Sequence, residues 1–134
     1  MARTPARPSA RSVAVIDAVA LVAFVVVGVI QHDEGLAFAG LVRTGVPLLV
    51  AWFAVALAVG THRRVGWGTL VATWALAVPL GLVARSVIRG GPWGRGLLIF
   101  GGIAMAFTLL FLVAGRMALW MAERIRTRED AEAA

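Results

Sequence analysis

Four long apolar segments constrain this chain more than any other feature of its sequence. They cover about residues 13–30, 41–60, 69–88 and 97–115, and the few charged residues within them lie near segment ends. Each segment has roughly 18 to 20 residues, and a helix of that length, rising about 1.5 Å per residue, crosses the ~30 Å hydrocarbon layer of a bilayer. We therefore predict an all-α integral membrane protein that folds as a four-transmembrane-helix bundle.

The composition excludes a water-soluble globular protein. Hydrophobic residues make up 60% of the 134 residues, and the mean hydropathy is +0.88. Soluble domains, by comparison, are only about 45–50% apolar. The chain also has no cysteine, which excludes disulfides, thiolate metal sites and thiol catalysis.

Arginine supplies all 13 basic residues, against seven acidic ones, and the net charge is +6. Nine arginines belong to the two tails and the loop between the second and third segments, whereas the opposite side has only Arg43, Arg85, Arg89 and Arg95. Since cytoplasmic loops carry the excess of basic residues, we predict a multi-pass protein of the cell membrane with both termini in the cytoplasm (N-in/C-in). Because the arginines flank apolar segments, we expect anionic lipids of the cytoplasmic face, and not nucleic acid, as partners.

The apolar segments divide the chain into three parts. We expect residues 1–12 to form a disordered basic arm, residues 13–115 the transmembrane domain, and residues 116–134 a cytoplasmic helical extension with a charged tail. Ser9 or Ser12 is expected to cap the first helix. A cleaved signal peptide is the alternative for the first segment, but the segment is longer than the usual ~7–15 apolar residues and no small-residue cleavage site follows it.

Small residues and prolines predict how the helices pack. Thr73, Ala77, Gly81 and Arg85 recur every four residues in the third segment, and Gly102 with Ala106 in the fourth, so each set shares one helical face. Such faces allow close helix approach in a membrane. Prolines at positions 47 and 79 lie inside segments and indicate either simple kinks or a gate or pocket.

Asp17 and Arg116 are the candidate charged pair at the cytoplasmic end. Asp17 lies about one helical turn inside that boundary, and Arg116 lies at about the same level on the fourth helix. A charged side chain at membrane depth costs several kcal/mol, so each one is a candidate functional residue by default. Two interpretations stay open: a structural ion pair, aided by the dipole of the first helix, or a carboxylate that couples protons or cations.

The outer side carries the densest polar cluster of the sequence. We expect it to form either a vestibule that binds a small polar or charged solute or a salt-bridged lid on the bundle, and its members are His32, Asp33, Glu34, Arg43 and Arg85. Three of these are consecutive and point in different directions on a helix, so we predict no metal site. His62 ends the second segment at the opposite side, which disfavours a haem shared with His32.

One stretch of the sequence runs from Asp17 and Gly28 in the first segment, through His32-Asp33-Glu34-Gly35, to Arg43-Thr44 and Pro47 at the start of the second segment. It resembles the corresponding stretch of a family of small four-span membrane proteins known as domain of unknown function 3054 (DUF3054). The resemblance covers nearly all of the chain after the basic arm. It implies four spans and brings no established activity. The matching positions are Asp17, Gly28, His32, Glu34, Gly35, Arg43, Thr44, Pro47, Arg85 and Arg116.

Two classes of function fit these observations. The first is a non-enzymatic membrane protein that serves as an accessory or structural factor, because no catalytic motif is present. The second is a small oligomeric transporter or channel for a small polar or charged solute, with the polar cluster as its outer vestibule and Asp17 as its coupling group. Four short helices enclose little interior, so a homo-oligomer or a membrane protein partner is expected, and no cofactor.

Overall fold

Four helices account for most of the chain in the structure, a computed structural model that describes residues 8–31, 38–90 and 93–133. Helix α1 spans Ala10–Gln31, α2 Phe38–Val59, α3 Trp67–Arg89 and α4 Arg95–Glu132. All four are long and apolar enough to cross a membrane. This confirms the prediction of an all-helical protein with four helices of membrane-spanning length.

Local sequence sets where the helices begin and end. The Ser9 hydroxyl accepts a hydrogen bond from the Ser12 N–H at 3.1 Å, so α1 is capped by Ser9 and begins earlier than the predicted span. Gly60 and Gly90 follow the last residues of α2 and α3 with φ of 77° and 62°. Glycine adopts this left-handed conformation without the steric cost of a Cβ, which is why it ends helices.

Helix α4 is much longer than a membrane span. Its 38 residues form one continuous helix, and at about 1.5 Å per residue it measures about 57 Å, well beyond a ~30 Å hydrocarbon layer. The predicted extension after Gly115 and most of the acidic tail are therefore a direct continuation of the fourth span.

The helices form a bundle in which each packs against two neighbours. Helix α1 contacts α2 and α4, and α3 contacts the same two helices. Across the described ranges, no Cα atoms of the diagonal pairs α1–α3 and α2–α4 lie within 8 Å of each other. This is the arrangement expected of an up-and-down four-helix bundle with short connections. The centre of the bundle is filled by Leu21, Val25, Leu48, Trp52, Leu70, Val78 and Leu112.

The predicted small-residue face of α3 packs against α2. Thr73, Ala77 and Gly81 are buried, and a Cβ on Gly81 would lie 3.0 Å from Leu48 Cα and 3.4 Å from the Pro47 carbonyl oxygen. The two backbones therefore meet at Gly81, as close helix packing in a membrane requires.

The corresponding prediction for α4 was wrong. Gly102 and Ala106 are exposed, and a Cβ on Gly102 would meet nothing within 4 Å. Another face of α4 is turned toward the bundle, and its buried residues are Ala104, Thr108, Leu112 and Arg116.

Candidate functional site

Asp17 and Arg116 form a buried ion pair between α1 and α4. The guanidinium donates two hydrogen bonds, from Nε to Asp17 Oδ1 at 2.9 Å and from an Nη to Oδ2 at 2.8 Å. Asp17 is fully buried and Arg116 is 3% exposed. Both carboxylate oxygens are thus bonded by one planar guanidinium, the strongest geometry available to such a pair.

Close contact between the two helices makes this pair possible. Gly115 precedes the arginine, and a Cβ at that position would lie only 3.2 Å from Ile16 Cγ1 and 3.6 Å from Ala20 Cβ. Glycine therefore lets α4 lie directly against the turn of α1 that carries Asp17. We call the part of the bundle around this pair the Asp17 end.

His62, on the connection between α2 and α3, is the third side chain at the Asp17 end. Its Nε2 lies 3.4 Å from Asp17 Oδ2 and, within the structure as described, has no hydrogen-bond partner. Its ring packs against that of Phe53, with the ring centroids 5.9 Å apart. The side chain is 14% exposed, so the imidazole lies beside the buried carboxylate and also reaches the surface.

Threonines hold the connection that positions His62. The hydroxyl groups of Thr61 and Thr73 hydrogen-bond to each other in the interior. The Thr69 hydroxyl donates to the carbonyl oxygen of Arg64 at 2.9 Å, and Gly60 turns the chain out of α2. The residues on both sides of His62 are therefore fixed to the start of α3.

Sequence reasoning missed the place of His62 beside Asp17. The prediction for His62 concerns only a haem shared with His32, and its level relative to Asp17 and Arg116 is not part of that prediction. The usable signal was present: His62 follows the end of the second segment on the side where the first begins and the fourth ends, so all three residues belong to one end of the bundle.

The predicted outer cluster is only partly described. His32, Asp33 and Glu34 lie outside the described residues. Arg43 is exposed, and Arg85 is partly buried with its guanidinium carbon 5.1 Å from the centroid of the Phe100 ring, a cation–π geometry. The two arginines therefore differ in how far they are buried. The vestibule and the lid both stay predictions for the five residues.

Arg85 lines a cavity of about 300 Å³ between α1 and α4. Arg43 is not among its lining residues. Phenylalanines from both helices form much of the wall, and Phe24 and Phe111 meet edge to face with ring centroids 6.4 Å apart. The polar side chains of the wall are Gln31, Thr44 and Arg85.

Metal binding has no candidate group in the described ranges, where no three His, Cys, Asp or Glu residues lie close enough together to hold an ion. The described residues offer two chemical features. One is a buried ion pair with an adjacent imidazole, and the other is a mostly apolar cavity with a guanidinium in its wall.

Comparison with known proteins gives one match. None of the curated proteins and none of the solved structures matches the chain. A protein-family model described as protein of unknown function (DUF3054) matches residues 14–119. That range contains Asp17, His62, Arg85 and Arg116 and confirms the resemblance drawn from the sequence, so the chain belongs to the DUF3054 family of proteins of unknown function.

Proposed function

We propose that this membrane protein is a non-enzymatic, multi-pass accessory or structural factor of the cell membrane, with both termini in the cytoplasm. The observation that carries the proposal is the pairing of Asp17 with Arg116. Both oxygens of the carboxylate accept hydrogen bonds from one guanidinium, and Asp17 is fully buried. A group enclosed in this way supports a role in holding α1 against α4 rather than in reacting with a substrate.

The energetics of buried ion pairs favour this role and suggest how to test it. Removing one partner strands an uncompensated charge in the interior and costs about 3–5 kcal/mol. Removing both charges together strands none, and replacing both partners by well-packed hydrophobic residues is often nearly neutral. A structural pair therefore predicts that the effects of single and double substitutions on stability do not add.

The test compares Asp17→Asn, Arg116→Gln and the double variant in detergent micelles, with Arg126→Gln as the control. Arg126 lies on the same helix and is exposed. Circular dichroism would follow thermal unfolding, and light scattering would report the oligomer. We expect both single variants to unfold at lower temperature and to assemble poorly, the double variant to recover most of the loss, and the control to behave like wild type.

A homo-oligomer, or a complex with another membrane protein, is part of the proposal. The buried centre of the bundle is small, and large apolar side chains such as Leu57, Leu98 and Ile99 are more than two-thirds exposed. Either lipid or a second copy of the chain would cover such an apolar surface. Anionic lipids are the expected counter-charge for exposed arginines such as Arg63 and Arg64.

A small oligomeric transporter or channel for a small polar or charged solute is the second candidate function. The position of His62 favours it, since an imidazole whose Nε2 lies 3.4 Å from a buried carboxylate oxygen is a common element of proton relays. Arg85 in the wall of a cavity at the other end of the bundle is the second supporting feature.

Flux measurements separate the two functions. The protein would be reconstituted in vesicles, and proton movement followed with a trapped pH-sensitive dye. A transporter predicts that Asp17→Asn or Arg85→Gln abolishes flux while the melting temperature and the oligomer stay unchanged. That result would overturn the accessory function, whereas loss of stability and assembly in the Asp17→Asn variant would support it.

A further inference from the structure

The cavity between α1 and α4 has an apolar body and one polar end. Its wall along the membrane-spanning parts of the two helices is formed by side chains such as Phe24, Phe107 and Phe111. Its volume of about 300 Å³ reaches the range of small-molecule sites. Phenylalanine walls favour an apolar occupant, because a polar solute would lose its hydration there without gaining hydrogen bonds.

The polar side chains of the wall lie toward the helix ends. Gln31 is the last residue of α1, Thr44 lies in the second turn of α2, and Arg85 lies one turn before the end of α3. These three positions belong to the end of the bundle away from Asp17, which we call the Arg85 end. In a bilayer, helix ends reach the headgroup region and the middle of each helix lies in hydrocarbon.

We propose that this cavity binds one acyl chain of an anionic phospholipid, with the phosphate of the headgroup at Arg85. The occupant must combine an apolar chain at hydrocarbon depth with a negative group near the bilayer surface. Phospholipids have this order of groups, and they are present at that depth in any membrane the helices cross.

Charge and hydrogen bonding favour an anionic headgroup. Of the lining residues that the structure describes, Arg85 is the charged one. A guanidinium carries five N–H donors, so it binds a phosphate oxygen while keeping its contact with the Phe100 ring and its other contacts. The Thr44 hydroxyl is buried and has no hydrogen-bond partner in the described part of the chain, and a phosphate or ester oxygen would supply one.

Gly28 offers a way to close the cavity without disturbing the fold. It lines the cavity, and a Cβ built on it meets nothing within 4 Å. A leucine there would extend into the space assigned to the acyl chain. Gly102→Leu is the matched control, because Gly102 is also a helical glycine with nothing within 4 Å but lies outside the cavity lining. Ile103→Trp fills the same cavity from α4 and serves as a second variant.

The experiment is native mass spectrometry of delipidated, purified full-length protein. Each sample receives equal amounts of phosphatidylglycerol and phosphatidylcholine with identical acyl chains, and the fraction that retains one lipid is measured. We expect wild type and Gly102→Leu to retain phosphatidylglycerol about fivefold better than phosphatidylcholine. Gly28→Leu and Ile103→Trp should lose retention of both lipids while keeping wild-type helicity.

Arg85→Gln tests the place of the headgroup separately. We expect this variant to bind both lipids equally, because the acyl chain still fits and the charge is gone. Wild-type retention in both Gly28→Leu and Ile103→Trp would overturn the cavity as the site. An unchanged preference for phosphatidylglycerol in Arg85→Gln would overturn the assignment of the headgroup to Arg85.

Discussion

At the scale of single residues, Asp17 shows how an apolar bundle holds a carboxylate. An ionised carboxylate buried without partners is very costly, and Arg116 offsets part of this cost for Asp17 because it bonds both of its oxygens. The sequence alone predicted that the two residues lie at about the same depth, since Asp17 is near the start of the first span and Arg116 is at the end of the fourth. The sequence could not predict that the guanidinium bonds both carboxylate oxygens, because this geometry depends on how closely α4 approaches α1.

The planar shape of the guanidinium gives the first prediction. Arg116→Lys keeps the positive charge but cannot bond both carboxylate oxygens in parallel, so we expect the free energy of unfolding to fall by about 1–3 kcal/mol. Thermal unfolding in detergent, followed by circular dichroism, measures the change. Arg126→Lys, on the exposed side of the same helix, should have no effect. Equal melting temperatures for Arg116→Lys and wild type would show that charge alone is sufficient.

His62 gives the second prediction, which separates ring packing from hydrogen bonding. The imidazole packs on Phe53, while its Nε2 accepts or donates no hydrogen bond within the described residues. We therefore expect His62→Phe to cost less than about 1.5 kcal/mol of stability, and His62→Ala to cost about 2 kcal/mol or more because it removes the ring. If both variants lose the same stability, the nitrogen and not the ring is what the fold needs.

At the scale of helices, spacing predicted the packing face of α3 correctly and that of α4 incorrectly. The α4 error has a geometric cause. Residues two apart lie about 200° apart around a helix of 3.6 residues per turn, so the face through Gly102 and Ala106 is nearly opposite the one through Ala104 and Thr108. The second face continues in steps of four to Arg116, and a charged residue inside a membrane faces the bundle. That rule, applied to Arg116, would have identified the correct face.

The outer cluster shows a second limit of sequence-based prediction: two residues at the same height along their helices need not face the same surroundings. Arg43 and Arg85 were placed at similar height, and yet Arg85 lines the cavity beside Phe100 while Arg43 is exposed. Height along a helix follows from residue number alone. Direction around the helix depends on which face the neighbouring helices contact, and only the packed structure provides that.

The contact between α2 and α3 gives the third prediction. Gly81→Ala would place a methyl group 3.0 Å from Leu48 Cα, and since that neighbour is backbone the helices must move apart. We expect a loss of about 1–3 kcal/mol in the free energy of unfolding. Gly102→Ala is the control, and it should stabilise α4 slightly through alanine's higher helix propensity. The idea of a close approach at Gly81 fails if the two alanine variants are equally stable.

At the scale of the whole molecule, the two ends of the bundle differ in how closely α1 and α4 approach. At the Asp17 end, Gly115 lets the two helices touch and the ion pair joins them. Toward the Arg85 end, the same two helices leave a cavity of about 300 Å³ between them. A bundle closed at one end and partly open at the other holds its helices together without filling its interior, which suits both an accessory protein and a lipid site.

The orientation of this asymmetric bundle gives the last prediction. The natural chain has no cysteine, so single cysteines report topology without a background. Ala10 and Ala133 lie at the end where both termini are found, and Trp93 lies at the opposite end and is 60% exposed. We expect a membrane-impermeant maleimide to label Trp93→Cys in intact cells, and Ala10→Cys and Ala133→Cys only after the membrane is opened, because the side richer in arginine faces the cytoplasm. The reverse pattern would invert the orientation and move His62 and Asp17 to the outer surface. Labelling of Ala10→Cys and Ala133→Cys from different sides would contradict an even number of crossings.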